Sequence, residues 1–107
     1  MNLPFTVGIS PTLGFRGLIA TQLIPKGSIA ERCPLVFLPV TQEKYLKNTV
    51  LWKYYFEWTK KYHCIALGYG SLVNHSFEPN IQYIFDYKAN TLNFKVLKTI
   101  QPGEELQ

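Results

Sequence analysis

From Ile81 to Val96 the chain alternates: Ile81, Tyr83, Phe85 and Tyr87 are separated by Gln82, Ile84 and Asp86, and Leu92, Phe94 and Val96 by Asn93 and Lys95. Side chains along a strand point to opposite faces in turn, so period two on both sides of polar Lys88-Ala89-Asn90-Thr91 predicts a β-hairpin. Upstream, residues 5–9 predict a short strand. Ser10-Pro11-Thr12-Leu13-Gly14 then predicts a turn, since proline fixes φ and glycine permits positive φ. Residues 16–21 resume an extended pattern, and Ile24-Pro25-Lys26-Gly27 predicts a second turn leading into extended stretches at 28–33 and 35–38. Short strands at this spacing predict a β-meander or partly open sheet. Thr41 is a candidate N-cap for a short helix over residues 42–47. Gln101-Pro102-Gly103-Glu104 is a further turn, after which Glu105-Leu106-Gln107 begins a last strand.

One stretch resists this pattern. In Leu67-Gly68-Tyr69-Gly70-Ser71-Leu72-Val73-Asn74-His75-Ser76-Phe77-Glu78-Pro79-Asn80, an apolar run broken by two glycines delivers three short polar side chains together. A buried polar group costs a few kcal/mol unless it finds a partner, so the segment is either a well-satisfied internal turn or a ligand site. Just before it, Trp52, Tyr54, Tyr55, Phe56 and Trp58 crowd seven positions with neither helical nor strand spacing. Core packing accounts for most of them. Tyr54 and Tyr55 stand apart, because a buried phenol needs a partner for its hydroxyl.

Composition narrows the class. With 107 residues, 47% hydrophobic and 15% aromatic, there is material for one core and one domain. Charged residues, at 17%, are too few for a disordered tail. The net charge of +4 is spread out and forms no basic patch, so nucleic-acid binding is not expected and a solvated surface is. Cys33 and Cys64 form no C-x-x-C pair and, with two histidines, no zinc-ligand spacing; no metal is expected. No basic n-region with an apolar h-region opens the chain, and no run approaches the roughly 20 apolar residues of a membrane span. The expectation is a soluble intracellular protein, cytoplasmic or, in a eukaryotic host, nuclear, with two free thiols.

Chemistry by motif is sparse. There is no P-loop, and Gly14-Phe15-Arg16-Gly17 is a weak glycine pair. Ser76 beside His75 lacks a nucleophile elbow, and adjacent residues seldom face each other, which disfavours a hydrolase. His63-Cys64 reads as a core thiol next to a surface imidazole. Asn74-His75-Ser76 matches a glycosylation acceptor formally, yet without a secretion signal. Taken alone, Pro102-Gly103-Glu104-Glu105 is an acidic surface turn.

Four pieces in order resemble the SET domain of protein lysine methyltransferases. They are Gly14-Phe15-Arg16-Gly17-Leu18-Ile19-Ala20, Ile24-Pro25-Lys26-Gly27, Asn74-His75-Ser76-Phe77-Glu78-Pro79-Asn80 and Pro102-Gly103-Glu104-Glu105-Leu106. Together they span nearly the whole chain, and the third is specific. Without cysteine-rich flanking modules, the sequence is most similar to minimal single-domain bacterial or viral forms. The resemblance implies a mainly β, β-clip-like SET fold: several short strands in small antiparallel sheets with short helices. It also implies a knot-like C-terminal threading in which the chain after Asn80 passes near the Asn74-His75 turn.

It further implies S-adenosyl-L-methionine as cofactor, held by the backbone of a turn at Arg16 and Gly17 and by Asn74 and His75. The substrate would be a lysine of a protein or peptide, reached as a neutral amine through an aromatic channel. Tyr54 is the channel residue assigned to catalysis, with Tyr55 and simple core packing as competitors. The family's tyrosine after the Glu-Leu pair would fall beyond Gln107, and the expectation is a single SET domain, residues 1–107, lacking its last C-terminal segment. The alternative is a catalytically inactive SET-like module binding a peptide or partner. Oligomeric state stays open, a homodimer being one option.

Overall fold

The computed structural model describes residues 3–107. It contains eight strands, β1 (Phe5–Ile9), β2 (Arg16–Ala20), β3 (Ile29–Pro39), β4 (Tyr55–Glu57), β5 (Tyr62–Ala66), β6 (Ile81–Asp86), β7 (Thr91–Val96) and β8 (Glu105–Leu106), and one short helix, α1 (Glu43–Leu46), among the described residues. Single 3-10 turns occupy Val40–Gln42, Val50–Lys53 and Gly70–Leu72. The strands form two antiparallel sheets, ordered β1-β2-β8 and β4-β5-β3-β7-β6.

Three predicted elements are present. β1 and β2 form a hairpin in register from Phe5 opposite Ala20 to Ile9 opposite Arg16, and Gly14 carries the turn at φ 76°. β6 and β7 pair from Ile81 opposite Val96 to Asp86 opposite Thr91, and Asn90 supplies the positive φ of 57° at the tip. The strand β8 joins β2 through Leu18 opposite Leu106 and Ile19 opposite Glu105.

Elsewhere the structure corrects the expectation. The stretches at 28–33 and 35–38 are one eleven-residue strand, β3, which belongs to the second sheet and so continues no meander from β2. Its first half pairs with β7 and its second half, from Leu35, with β5. Pro34 lies where the partner changes, and no continuous ladder there depends on an N–H that proline lacks. Thr41 lies inside a 3-10 turn and caps nothing; α1 starts after Gln42, which makes no side-chain cap either. The imidazole of His63 is buried, not at the surface, its Nε2 3.0 Å from Glu43 Oε2 and its ring edge-to-face with Tyr55 at 4.8 Å between centroids. Hydrogen bonds from His63 and Lys47 hold the Glu43 carboxyl below its usual range.

The core lies between the sheets. Leu18 of β2, Leu92, Phe94 and Val96 of β7, Leu106 of β8, and Ile100 in the connection before it are buried almost completely. Phe5 of β1 stacks on Phe94 of β7 with centroids 6.3 Å apart, and the backbone bridge Ile24–Ile100 adds a second link. Each such side chain contributes roughly 1.5–3 kcal/mol by leaving water. Cys33 and Cys64 are free thiols within this packing; burial pushes them up to about 12 and about 11, Glu31 adding to the rise at Cys33.

The aromatic cluster divides. Trp58 is buried among Phe37, Phe85 and Tyr87, and Phe56 meets Tyr83 and Phe85 edge-on. Tyr55 is sandwiched between Trp52 and His63. Tyr54 stacks on no ring among the described residues and is left to the site.

Candidate active site

The unusual stretch is held by the core it interrupts. Gly68, at φ 82°, lets the chain leave β5, and Tyr69 then donates its N–H to Glu31 Oε1 at 3.0 Å. Gly70 packs so closely that a Cβ there would lie 2.9 Å from both Cys33 Sγ and Phe94 Cε1. Its carbonyl accepts the Tyr83 hydroxyl at 2.7 Å, and burial raises that phenol well above the ordinary tyrosine range, keeping it a donor. The Gly68–Gly70 path is thereby fixed, and Ser71 to Asn80 emerges from a rigid base.

Asn74 ties three separate parts of the chain together. Its Nδ2 donates to the Arg16 carbonyl at 2.9 Å and to Glu105 Oε2 at 2.8 Å. The other Glu105 oxygen accepts from Ser10 Oγ, and Ser10 also caps its turn by accepting Leu13 N–H at 3.0 Å. Glu105, 5% exposed, is therefore a buried carboxylate with a partner on each oxygen, as burial demands. Gly17 makes this possible: a Cβ at that position would overlap Glu105 Oε2 and lie 2.9 Å from Asn74 Nδ2.

Asn80 closes the arrangement. Its Nδ2 donates to the Glu105 carbonyl at 2.8 Å, its Oδ1 accepts Gln107 N–H at 2.9 Å, and its own N–H reaches the Gln107 carbonyl at 2.8 Å. The segment around β8 thus comes back to the 74–80 stretch, locked to it by side chains from both sides.

Two concavities flank Asn74. One, about 390 Å³, is lined by Lys53, Tyr54, Val73, His75, Tyr83 and Gln107 among others; the other, about 320 Å³, by Phe15, Arg16, Tyr54, Ser71, Leu72 and Asn74. Tyr54, Ser71 and Asn74 belong to both and form their common wall. Arg16 Nη2 donates to the Tyr54 hydroxyl at 3.1 Å. The imidazole of His75 is exposed, with the Phe77 ring edge-on at 5.2 Å, and Phe77 itself is 96% exposed.

All five residues singled out in the sequence come together here. Arg16 and Gly17 sit in the first two positions of β2 rather than in the preceding turn, which belongs to Gly14. Tyr54 lines both concavities, whereas Tyr55 lines only the first, its ring packed against Trp52 and His63. Ser76 accepts the Glu78 N–H at 3.1 Å in a local turn and makes no bond to His75. Glu105, Ser10 and Tyr83 are site residues that sequence reasoning misses. Glu105 reads from sequence as half of an acidic surface pair, but only Glu104 behaves so, capping Gln101 N–H at 2.6 Å.

The SET domain family model matches residues 15–107. A Schizosaccharomyces pombe histone-lysine N-methyltransferase described as specific for H3 lysine-37 is 34% identical over 92 residues, covering 85% of this chain and 63% of that protein. The chain therefore spans less than two thirds of that curated relative. A Plasmodium falciparum protein provisionally assigned as a histone methyltransferase has a crystal structure with TM-score 0.76 and 30% identity, covering 99% of this chain and 91% of that one. CpSET8 from Cryptosporidium gives TM-score 0.70 and 26% identity over 95% of this chain and 55% of that one. A humanized Chaetomium thermophilum Polycomb Repressive Complex 2 shares the fold at TM-score 0.79 and 18% identity, over 95% of this chain and 14% of that one. By the order of its motifs, the clasp they build and a family match over residues 15–107, this chain belongs to the SET domain family.

Proposed function

We propose that the chain is an S-adenosylmethionine-dependent methyltransferase acting on a lysine amine of a protein, the histone-lysine activity of its yeast relative being the nearest guide to substrate class. The observation that carries the reading is the pair of concavities meeting at Tyr54 and Asn74. Two reactants entering by separate mouths can meet across such a wall.

The residues present fit the cofactor. Asn74 commits its amide hydrogens to Arg16 and Glu105 and keeps its Oδ1 for a ligand, while the exposed ring of His75 offers nitrogen atoms and Phe15, Leu72 and Val73 offer apolar walls. A pocket of a few hundred Å³ with apolar walls and few polar groups is the usual form of a small-molecule site. When bound, the cofactor supplies a methyl group whose S–C bond breaks, leaving its electron pair on sulfur, as the amine N–C bond forms. The protein's part is positioning and exclusion of water. Gly17, Glu105 and Ser10 hold Asn74; the phenols of Tyr54 and Tyr83 and the ring of Phe56 line the amine's approach. A lysine ammonium, with a pKa near ~10.4 in water, loses its proton more readily in such a desolvated passage.

The test is transfer of labelled methyl groups from S-adenosylmethionine to recombinant histone H3. His75→Ala is the informative variant, since the ring is exposed and makes no hydrogen bond among the described residues, so that its removal is expected to leave the melting temperature unchanged. Loss of transfer with unchanged melting supports the reading. Unchanged transfer in His75→Ala removes that residue from the site. A wild-type protein that binds H3 peptides but transfers nothing supports instead the inactive peptide-binding module.

A further inference from the structure

No Asp or Glu side chain lines either concavity. Their charged and titratable groups are Arg16, Lys53, His75 and the phenols of Tyr54, Tyr55 and Tyr83. One acid, Glu105, stands behind the wall with one oxygen on Ser10 and the other on Asn74. Among the described residues the ion pairs gather on Glu43, far along the chain, and Arg16 has no acidic partner. Instead it spans the site: its carbonyl receives the Asn74 amide while its guanidinium donates to the Tyr54 hydroxyl. A guanidinium stays charged at every pH a protein tolerates. A permanent positive charge is therefore seated on the one aromatic side chain common to both concavities.

An amine arriving as ammonium meets like charge there, the Glu105 carboxylate behind the wall being engaged by Ser10 and Asn74, whereas the neutral amine meets no such repulsion. We propose that the Arg16 side chain, braced on Tyr54, is a positioning and electrostatic residue that keeps the target amine deprotonated, its proton passing to water before methyl transfer. The proposal rests on the methyltransferase reading and adds to it a residue whose side chain that reading does not use. Lys53 adds to the same field from the chain position before Tyr54, but without a fixed partner. A unit charge within about a Debye length, screened by ordinary salt, shifts an amine's pKa at a protein surface by about half to one unit, and by less as salt is raised.

The experiment is the pH profile of kcat at saturating histone H3 and S-adenosylmethionine, which reports ionisation in the bound complex, from about pH 6.5 to 10.5, for the wild type, Arg16→Gln and Arg16→Lys. Both variants keep the backbone carbonyl that holds Asn74. In Arg16→Gln the acidic limb moves up by about half to one unit. That is a roughly three- to tenfold loss near pH 7 that vanishes near pH 10 and shrinks when the comparison is made in high salt. Arg16→Lys, retaining the charge, recovers most of the activity at neutral pH. A loss in Arg16→Gln that is the same at every pH, with a raised KM for S-adenosylmethionine, overturns the proposal and makes the side chain a cofactor ligand. An unmoved limb in Arg16→Gln with an active wild type also overturns it, leaving the methyltransferase reading intact. A wild type inactive at every pH defeats that reading and this proposal together.

Discussion

Replacing Gly17 by alanine tests whether the buried carboxylate organises the site. The added Cβ would overlap Glu105 Oε2 and come within 2.9 Å of Asn74 Nδ2, and neither neighbour can retreat freely. Glu105 is anchored at Ser10, and Asn74 at the Arg16 carbonyl. Overpacking of this kind costs about 1–3 kcal/mol. For a domain of this size that lowers Tm by roughly 4–8 °C per kcal/mol, so a fall of about 8–16 °C is expected for a cost near 2 kcal/mol. The decisive assay is a double-mutant cycle with Glu105→Ala, read by urea unfolding. Alone, Glu105→Ala costs about 2–4 kcal/mol, from the cavity it leaves and from the stranded Ser10 hydroxyl and Asn74 amide. With the carboxylate gone the Gly17 methyl has room, so Gly17→Ala costs at least ~1 kcal/mol less in that background, a coupling well above the error for independent sites. Additive costs would refute the proposition that the two residues compete for one space.

Other expectations rest on the same geometry. Asn80→Ala removes two side-chain bonds to the β8 segment and costs about 1–3 kcal/mol; hydrogen exchange should show Leu106 losing protection more than the β6–β7 hairpin does. Tyr83→Phe forfeits the bond to the Gly70 carbonyl at a cost of about 1 kcal/mol, and a spectrophotometric titration should show the variant missing a phenol that in the wild type ionises well above the ordinary tyrosine range. The thiols of Cys33 and Cys64, raised from 9.0 to about 12 and about 11, stay protonated in the folded chain while those of the unfolded chain ionise. Their contribution to stability is therefore full below pH 9 and declines as pH rises from 9 toward 11–12, which urea midpoints across that range would register. A thiol-specific reagent should label neither cysteine faster than the protein opens.

The sequence discloses whatever depends on neighbours in the chain. The β6–β7 hairpin follows from alternation between Ile81 and Val96, and the β1–β2 turn from Pro11 and Gly14, because hairpin register is a local matter. β3 reads as two strands, since a proline interrupts it and nothing local tells that its partner changes there from β7 to β5. The burial of His63 is equally hidden, because imidazole is amphiphilic and its fate depends on Glu43, which local sequence does not bring beside it. The site is legible only through its motifs: Asn74, Gly17 and Arg16 are motif residues whose geometry is set by Glu105, distant from all of them in sequence. Glu105 itself cannot be told from Glu104 by composition. The alternation of β8 holds the signal, since Leu106 must face the core and Glu105 must then face Gly17 across β2.

The pairing of β2 with β8 brings Leu18 and Ile19 beside Leu106 and Glu105, across most of the domain's length. Closing so long a loop costs entropy before any of its contacts form, and refolding slower than that of a domain built on local contacts is expected. During synthesis the remaining strands of the two sheets can assemble in order, but the shelf that supports Asn74 exists only after Glu105 has left the ribosome. Until then the Ser10 hydroxyl has only the Leu13 N–H and the Asn74 amide only the Arg16 carbonyl to hold them. The emergence of a working site is thereby tied to the synthesis of a two-residue strand, and nascent chains halted before Glu105 would be fold-poor and inert.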